Sequence, residues 1–144
     1  MASNKEIHEF AIRWFEKYRN SSTKEYEVEE SFGDECFALG FEMDCGNAFE
    51  DAFPDTNAFN DYKALDKIIE QVQDVSLLGS AIFSKWRYIT HWSFGEQLLS
   101  AQNRPWFILA FGRLAALTSE DGANPFIFEG QTQKIQIKSN NIGY

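Results

Sequence analysis

The side chains best suited to bind a ligand cluster around Arg87 and His91. These two residues are four positions apart, so they share one face of a helix. Trp86, Tyr88 and Trp92 surround them, and a cation among aromatic rings can hold an anionic or planar ligand by pairing and stacking. The same pattern is typical of side chains that satisfy carboxylates or helix-end carbonyls inside a fold. We therefore treat Trp86, Arg87, His91 and Trp92 as an alternative ligand-binding or enzymatic site.

Nucleophilic and metal chemistry have weaker support in the sequence. Cys36 and Cys45 are the only cysteines, and they lack the close spacing of a zinc-binding pair. A nucleophilic pair of Cys45 and His91 stays open, because such partners lie far apart in a chain. His8 falls beside the polar side of the first helix, which predicts a surface position. We predict no catalytic residue, no metal site and no cofactor.

Negative charge is the dominant feature of the composition. The chain has 22 acidic and 13 basic residues, a net charge of −9. Residues 1–74 hold 18 acidic and 7 basic side chains, a net of −11, whereas residues 75–144 hold 4 and 6, a net of +2, and together they give −9. Such a balance is poorly suited to a phosphate backbone or an anionic membrane surface. We therefore expect no direct nucleic-acid partner, no membrane partner, and a basic protein partner.

The bias is strongest between Lys24 and Lys63, where no lysine or arginine occurs. We call this stretch, residues 25–61, the acidic segment. Its apolar stripes must face inward, so its carboxylates face water together and repel one another. An arrangement that opposes folding in this way persists most easily when a partner offsets the repulsion. The predicted partner-binding residues are Glu25, Glu29, Glu30, Asp34, Glu35, Glu50, Asp51 and Asp55.

Two simpler interpretations of the acidic segment stay open. Carboxylates near helix N-termini interact favourably with the helix dipole, by about 0.3–1 kcal/mol each, which is enough to explain Glu25, Glu27 and Asp44. Solubility alone is a further reason for an acidic surface. A calcium loop is not indicated, since residues 44–55 lack the alternating ligands and terminal glutamate of such a loop.

An acidic surface suits a protein that occupies the nucleic-acid groove of an enzyme. The carboxylates of such a protein then pair with the arginines of the enzyme that otherwise bind phosphate. Bacterial immunity proteins and phage-encoded nuclease inhibitors act in this way, and the likeness to them is one of charge and size only. We expect a non-enzymatic interaction module of this inhibitor or immunity type. A helix-turn-helix reader is disfavoured, because segments 75–92 and 106–117 are too apolar to lie in a DNA groove.

The elements that position these residues are mostly helical. Ser3 and Glu6 form a capping box that opens a helix over about residues 4–19. One apolar stripe at helical spacing follows the box. It comprises Ile7, Phe10, Ala11, Trp14, Phe15 and Tyr18.

About five further helices are expected. A capping box of Ser22 and Glu25 opens the second, and Gly40 ends it in the left-handed conformation. Weaker stripes predict short helices near residues 44–53 and 65–72. Segments 75–92 and 106–117 are apolar on nearly every side, which predicts two central, buried helices. In the first of them, the small residues Gly79, Ser80 and Ala81 would let a neighbouring helix approach closely.

The C-terminal region changes to a strand pattern. Apolar residues at 126–128 and at 135 and 137 predict a small β-hairpin around Gly130, which must dock or pair with another chain to be stable. A homo-oligomer through this hairpin is therefore open. The sequence predicts a single mainly α domain over residues 1–144, a compact bundle of about six helices with a frayed tail at 139–144. The polar N-terminus and the two cysteines favour the cytoplasm.

Overall fold

The computed structural model describes residues 2–20, 27–43, 69–92 and 98–119, together with the backbone of 126–127 and 136–137. Four α-helices account for most of these residues, which confirms the mainly α prediction for the described part of the chain. They are α1 (Asn4–Asn20), α2 (Glu27–Leu39), α3 (Val75–Trp92) and α4 (Asn103–Thr118), with a 3-10 turn at Ile69–Gln71.

Helix α1 forms as predicted. The backbone N–H of Ser3 donates to Glu6 Oε1 at 3.1 Å, and the backbone N–H of Glu6 donates to Ser3 Oγ at 3.2 Å. This reciprocal capping box satisfies N–H groups that no helical carbonyl can reach. The whole predicted stripe, from Ile7 to Tyr18, is buried. Local sequence alone therefore fixes both the start of α1 and its inward face.

The inward face of α1 packs most extensively against α4. The Tyr18 ring lies 4.9 Å from that of Phe107, while at the opposite end His8 Nδ1 lies 2.8 Å from the Ala115 carbonyl oxygen. The two helices are therefore antiparallel. Helix α4 is buried on almost every side, and only Arg113 and Leu117 in its second half are partly exposed. The prediction of a central helix is confirmed for α4.

A glycine cap ends α2 and directs the chain onto α3. Gly40 has φ of 86°, its N–H donates to the Phe37 carbonyl at 3.1 Å, and the N–H of Phe41 donates to the Cys36 carbonyl at 3.1 Å. This pair of bonds is the Schellman motif, which favours glycine because other residues rarely adopt a positive φ. The turn leaves Phe41 buried, at 4% exposure.

The Phe41 ring fills the space that the small residues of α3 leave. A methyl group added at Gly79 would overlap this ring, and Ser80 Oγ accepts the N–H of Glu42 at 2.9 Å. The prediction that a helix approaches Gly79 and Ser80 is therefore corrected. It is the chain just beyond α2 that does so, because the glycine cap carries it inward.

Helix α3 is less enclosed than the sequence predicts. Residues 78–83 are buried, but Ser76, Arg87 and His91 are exposed and Tyr88 is 62% exposed. An apolar composition on nearly every side does not ensure burial when neighbouring helices cover one side only. Asp74 Oδ1 caps the helix by accepting the N–H of Leu77 at 3.0 Å.

The finer predictions of the architecture are not confirmed. The second capping box, the helix near 44–53 and the tail at 139–144 lie outside the described residues. Segment 65–72 is described only from Ile69, where it forms the 3-10 turn. Phe126–Ile127 pairs antiparallel with Gln136–Ile137, and two residues on each side do not establish the docked hairpin. The count of six helices, the hairpin and the single domain stay predictions.

None of the helices in the described ranges combines the length and the apolar character needed to cross a bilayer.

Gly79→Ala tests the contact between α3 and the Phe41 ring. We expect the free energy of unfolding to fall by about 1–3 kcal/mol, because the new methyl group overpacks a filled site. Ser76→Ala on the exposed side of α3 is the matched control and should change stability by less than about 0.5 kcal/mol. Urea denaturation measures both. Equal stabilities of the two variants would contradict this packing.

Candidate functional site

An open groove that carries charged groups lies between α1 and α2. Its volume is about 200 Å³. Phe10 and Leu39, both almost fully buried, form an apolar floor, and Ala38 contributes only a methyl group to the wall. The residues that line it are Glu6, Glu9, Phe10 and Arg13 from α1, and Glu35, Ala38 and Leu39 from α2. We call it the α1–α2 groove.

Helical spacing explains why charged side chains surround the apolar floor of the groove. On α1, residues 6, 9 and 13 follow one another at three and four positions, directly beside the buried stripe that contains Phe10. On α2, residues 35, 38 and 39 take the matching place beside the buried Phe32 and Cys36. The groove is therefore the polar margin of the contact between two amphipathic helices.

The groove carries net negative charge. Three carboxylates against one guanidinium leave a formal charge of −2. Glu6 is engaged in the capping box of α1, and Glu35 accepts bonds from Arg13 and from Trp14 Nε1, the latter at 3.0 Å. Glu9 is exposed and makes no hydrogen bond or ion pair with any described residue. Glu9 is thus the carboxylate of the groove that a ligand can reach without displacing a protein partner.

Two of the predicted partner-binding residues have described side chains. Asp34 is exposed on the outer side of α2, as the sequence predicts for the acidic segment. Glu35 points toward α1, with 26% of its side chain exposed. The other six lie outside the part of the chain whose side chains are described, and their role stays a prediction. They are Glu25, Glu29, Glu30, Glu50, Asp51 and Asp55.

For Glu35 the expectation of an unmatched carboxylate needs correction. Arg13 comes from α1, outside the acidic segment, and forms an ion pair with Glu35. The buried Trp14 donates its indole N–H to the second carboxylate oxygen. Side-chain contacts of Phe10 and Trp14 with Phe32 bring α1 and α2 together, and no pattern within the acidic segment shows it. Glu35 is therefore a structural link between two helices as well as part of the groove.

The alternative site around Arg87 is divided between two sides of α3. Arg87 and His91 share an exposed face, as their spacing predicts. Trp86 instead packs inward, where a methyl group added at Gly33 of α2 would meet its ring at 2.8 Å. Consecutive residues of a helix point about 100° apart, which explains the separation of Trp86 from Arg87. The side chain of Trp92 lies outside the described part.

The predicted surface position of His8 is wrong. His8 is partly buried, its Nδ1–H donates to the Ala115 carbonyl at 2.8 Å, and Thr118 Oγ1 lies 3.3 Å from the same nitrogen. The reason is the antiparallel packing of α1 on α4, which places the last carbonyls of α4 beside residue 8. His8 thereby satisfies a carbonyl group at the C-terminal end of a buried helix.

Cys36 is a free cysteine, buried in the core between α1 and α2. Burial, with a smaller contribution from the negative charge of Glu35, raises the pKa of its thiol well above the ordinary value. A thiol that does not ionise is a poor nucleophile and metal ligand. Cys45, the partner proposed for His91, lies outside the described residues.

Lys85 is a charged residue that the sequence reasoning missed. It is only 3% exposed, and its Nζ lies 4.9 Å from the ring centre of Trp106 in α4. Burial lowers the pKa of Lys85 to about 8. The signal was present in the spacing, since residue 85 continues the inward face of Leu78, Ile82 and Ile89.

Comparison with known proteins adds no assignment. No protein-family model, curated protein or solved structure matches this chain. Within the described residues, no three side chains of the metal-binding types come together. The candidate site therefore depends on the geometry and charge of the α1–α2 groove.

Comparing Glu35→Ala with Asp34→Ala tests whether the Glu35 carboxylate stabilises the fold while the exposed Asp34 carboxylate does not. We expect Glu35→Ala to lower the free energy of unfolding by about 1–3 kcal/mol, since it leaves the buried Trp14 indole N–H without its acceptor. Asp34→Ala should change it by less than about 0.5 kcal/mol. Both variants lose one negative charge, so the difference in their urea midpoints measures the buried bond. Indistinguishable midpoints would contradict a structural role for Glu35.

Lys85→Met tests the burial of a cation between α3 and α4. Because the folded-state pKa of about 8 lies below the ordinary 10.5, the unfolded chain holds more protons between these pH values. Titration of Lys85 therefore makes the free energy of unfolding increase as the pH rises from about 8 to 10.5. Lys85→Met should remove that increase. Thermal melts at pH 7 to 10 are the measurement, and the exposed Lys5→Met is the control, for which no such change is expected.

Proposed function

We propose that this protein is a non-enzymatic interaction module that presents an acidic surface to a basic protein partner. The observation that supports this most directly is the α1–α2 groove, which has an apolar floor, a formal charge of −2 and one carboxylate, Glu9, outside the internal pairing. Asp34 extends the negative charge onto the exposed side of α2.

The physical basis of the proposal is charge complementarity. A surface of one sign steers an oppositely charged partner and raises the rate of encounter, and the effect weakens as salt screens it. Carboxylates can also occupy the positions that phosphates take on a nucleic-acid-binding protein. The proposed binding surface includes the acidic segment, with Glu25, Glu29, Glu30 and Asp34 on or before α2 and Glu50, Asp51 and Asp55 beyond it.

The inhibitor or immunity type of function is the more specific part of the proposal. A small, acidic, mainly α protein resembles such inhibitors of bacteria and phages in charge and size. The proposal places the protein in the cytoplasm, where nucleic-acid enzymes are its available basic partners. The architecture that we propose for the whole chain is still a bundle of about six helices with a C-terminal hairpin.

Asp34→Lys tests the acidic surface. The immobilised protein should capture a basic protein from a lysate of its host at low salt and lose it at high salt. With the purified captured protein, we expect Asp34→Lys to slow association by about tenfold, because it replaces attraction by repulsion at the surface. Gln102→Lys, at an exposed position directly before α4 and outside the groove lining, is the control for added positive charge. Association rates from biolayer interferometry are the measurement.

Either of two outcomes would contradict the proposal. If no protein is captured at low salt, or if the captured protein binds Asp34→Lys as fast as the unmodified chain, the acidic surface is not a binding surface.

A further inference from the structure

The outer side of α2 exposes a large aromatic side chain. Phe37 is 70% exposed, and its ring meets that of Phe83 edge-on at 5.9 Å, so it is held against α3 while most of its surface faces water. Asp34 and Ala38, both exposed, lie three residues before it and one residue after it. Exposed aromatic rings bordered by polar groups are typical of protein–protein interfaces.

The exposed arc of α2 extends from Phe37, on the side that faces α3, to the α1–α2 groove. Phe37, Asp34 and Ala38 occupy neighbouring positions around the exposed arc of α2, and Ala38 also lines the groove. An apolar anchor and a negatively charged recess thus lie at the two sides of this arc. This combination matches the anatomy of a binding surface, in which an aromatic side chain contributes apolar contact and charged groups around it select the partner.

The shape and charge of the groove fit an arginine side chain. The aliphatic stem of an arginine can lie on the apolar floor of Phe10 and Leu39, while its guanidinium meets the carboxylate of Glu9. A planar guanidinium pairs with a carboxylate through two parallel hydrogen bonds and is less strongly hydrated than an ammonium group. The groove therefore favours arginine over lysine.

Arg13 determines which end of the groove is available. Its guanidinium pairs with Glu35, and 48% of its side chain is exposed at that end. A second cation is repelled there and directed toward Glu9 and Glu6, one and two turns earlier on α1. Only the end near Glu9 combines an apolar floor with an unengaged carboxylate.

We propose that this outer side of α2 docks an arginine-bearing segment of the basic partner, with Phe37 as the apolar anchor and Glu9 as the acceptor of the arginine guanidinium. This inference rests on the proposed function and specifies its recognition site. Glu9 and Phe37 both lie outside the set of acidic residues predicted from the sequence.

Short peptides test the groove without the partner. Tetra-arginine, tetra-lysine and tetra-citrulline are titrated into the isotope-labelled protein while amide chemical shifts are followed by NMR. We expect saturable shifts with tetra-arginine at residues 6–13 and 35–39, weaker ones with tetra-lysine, and none with the uncharged tetra-citrulline. Glu9→Gln should weaken tetra-arginine binding by about tenfold, equivalent to about 1.4 kcal/mol.

Glu16→Gln is the matched control, because it removes one negative charge from the same helix outside the groove lining. It should leave the affinity for tetra-arginine within about twofold of the unmodified protein. If Glu9→Gln and Glu16→Gln weaken binding equally, or if the shifts spread over all acidic positions, the peptide senses net charge only and the groove site is overturned.

Phe37→Ala tests the anchor with the purified captured protein. We expect about a tenfold or greater loss of affinity with only a small decrease in melting temperature, because the ring is mostly exposed in the free protein and loses a single edge contact with Phe83. If salt and Asp34→Lys disrupt the complex while Glu9→Gln and Phe37→Ala do not, the acidic-surface proposal stands and the docking site is wrong. If none of these changes affects the complex, the acidic-surface proposal and the docking site are both wrong.

Discussion

One aromatic ring joins every helix that the structure describes. Phe32 of α2 lies 5.6 Å from Phe10 and 5.0 Å from Trp14 of α1, 5.3 Å from Trp86 of α3 and 5.9 Å from Phe111 of α4, between ring centres. Aromatic pairs at such distances contribute about 0.5–1.5 kcal/mol each beyond the burial of their surface. Since all four contacts converge on a fully buried residue, they fix the rotation of α2 about its own axis.

The rotation of α2 decides what the protein shows to a partner. With Phe32 inward, the helical period turns Asp34 and Phe37 to solvent and Glu35 toward α1. The same constraint brings Arg13 within reach of Glu35 and leaves Glu9 at the open end of the groove. The candidate site is therefore a consequence of core packing, and a change that rotates α2 would dismantle it without touching a surface residue.

The charged groups of the described chain serve two different purposes. Glu35 and Lys85 are largely withdrawn from water, where a partner or an aromatic face must compensate the lost hydration. Asp34 and Glu9 remain hydrated, and an exposed ion pair contributes only about 0–1 kcal/mol. Tight binding through such groups requires that a partner exclude water from them, which the apolar floor of the groove and the exposed Phe37 make possible.

The sequence by itself determined the features that depend on neighbouring residues. The capping box at Ser3, the inward stripe of α1 and the left-handed cap at Gly40 need only residues a few positions away, so their pattern suffices. The burial of His8 and the pairing of Glu35 were decided by tertiary structure. Periodicity shows which face of a helix is apolar, but not which distant helix packs against the margin of that face. The packing of the helices places the Ala115 carbonyl beside His8 and Arg13 beside Glu35.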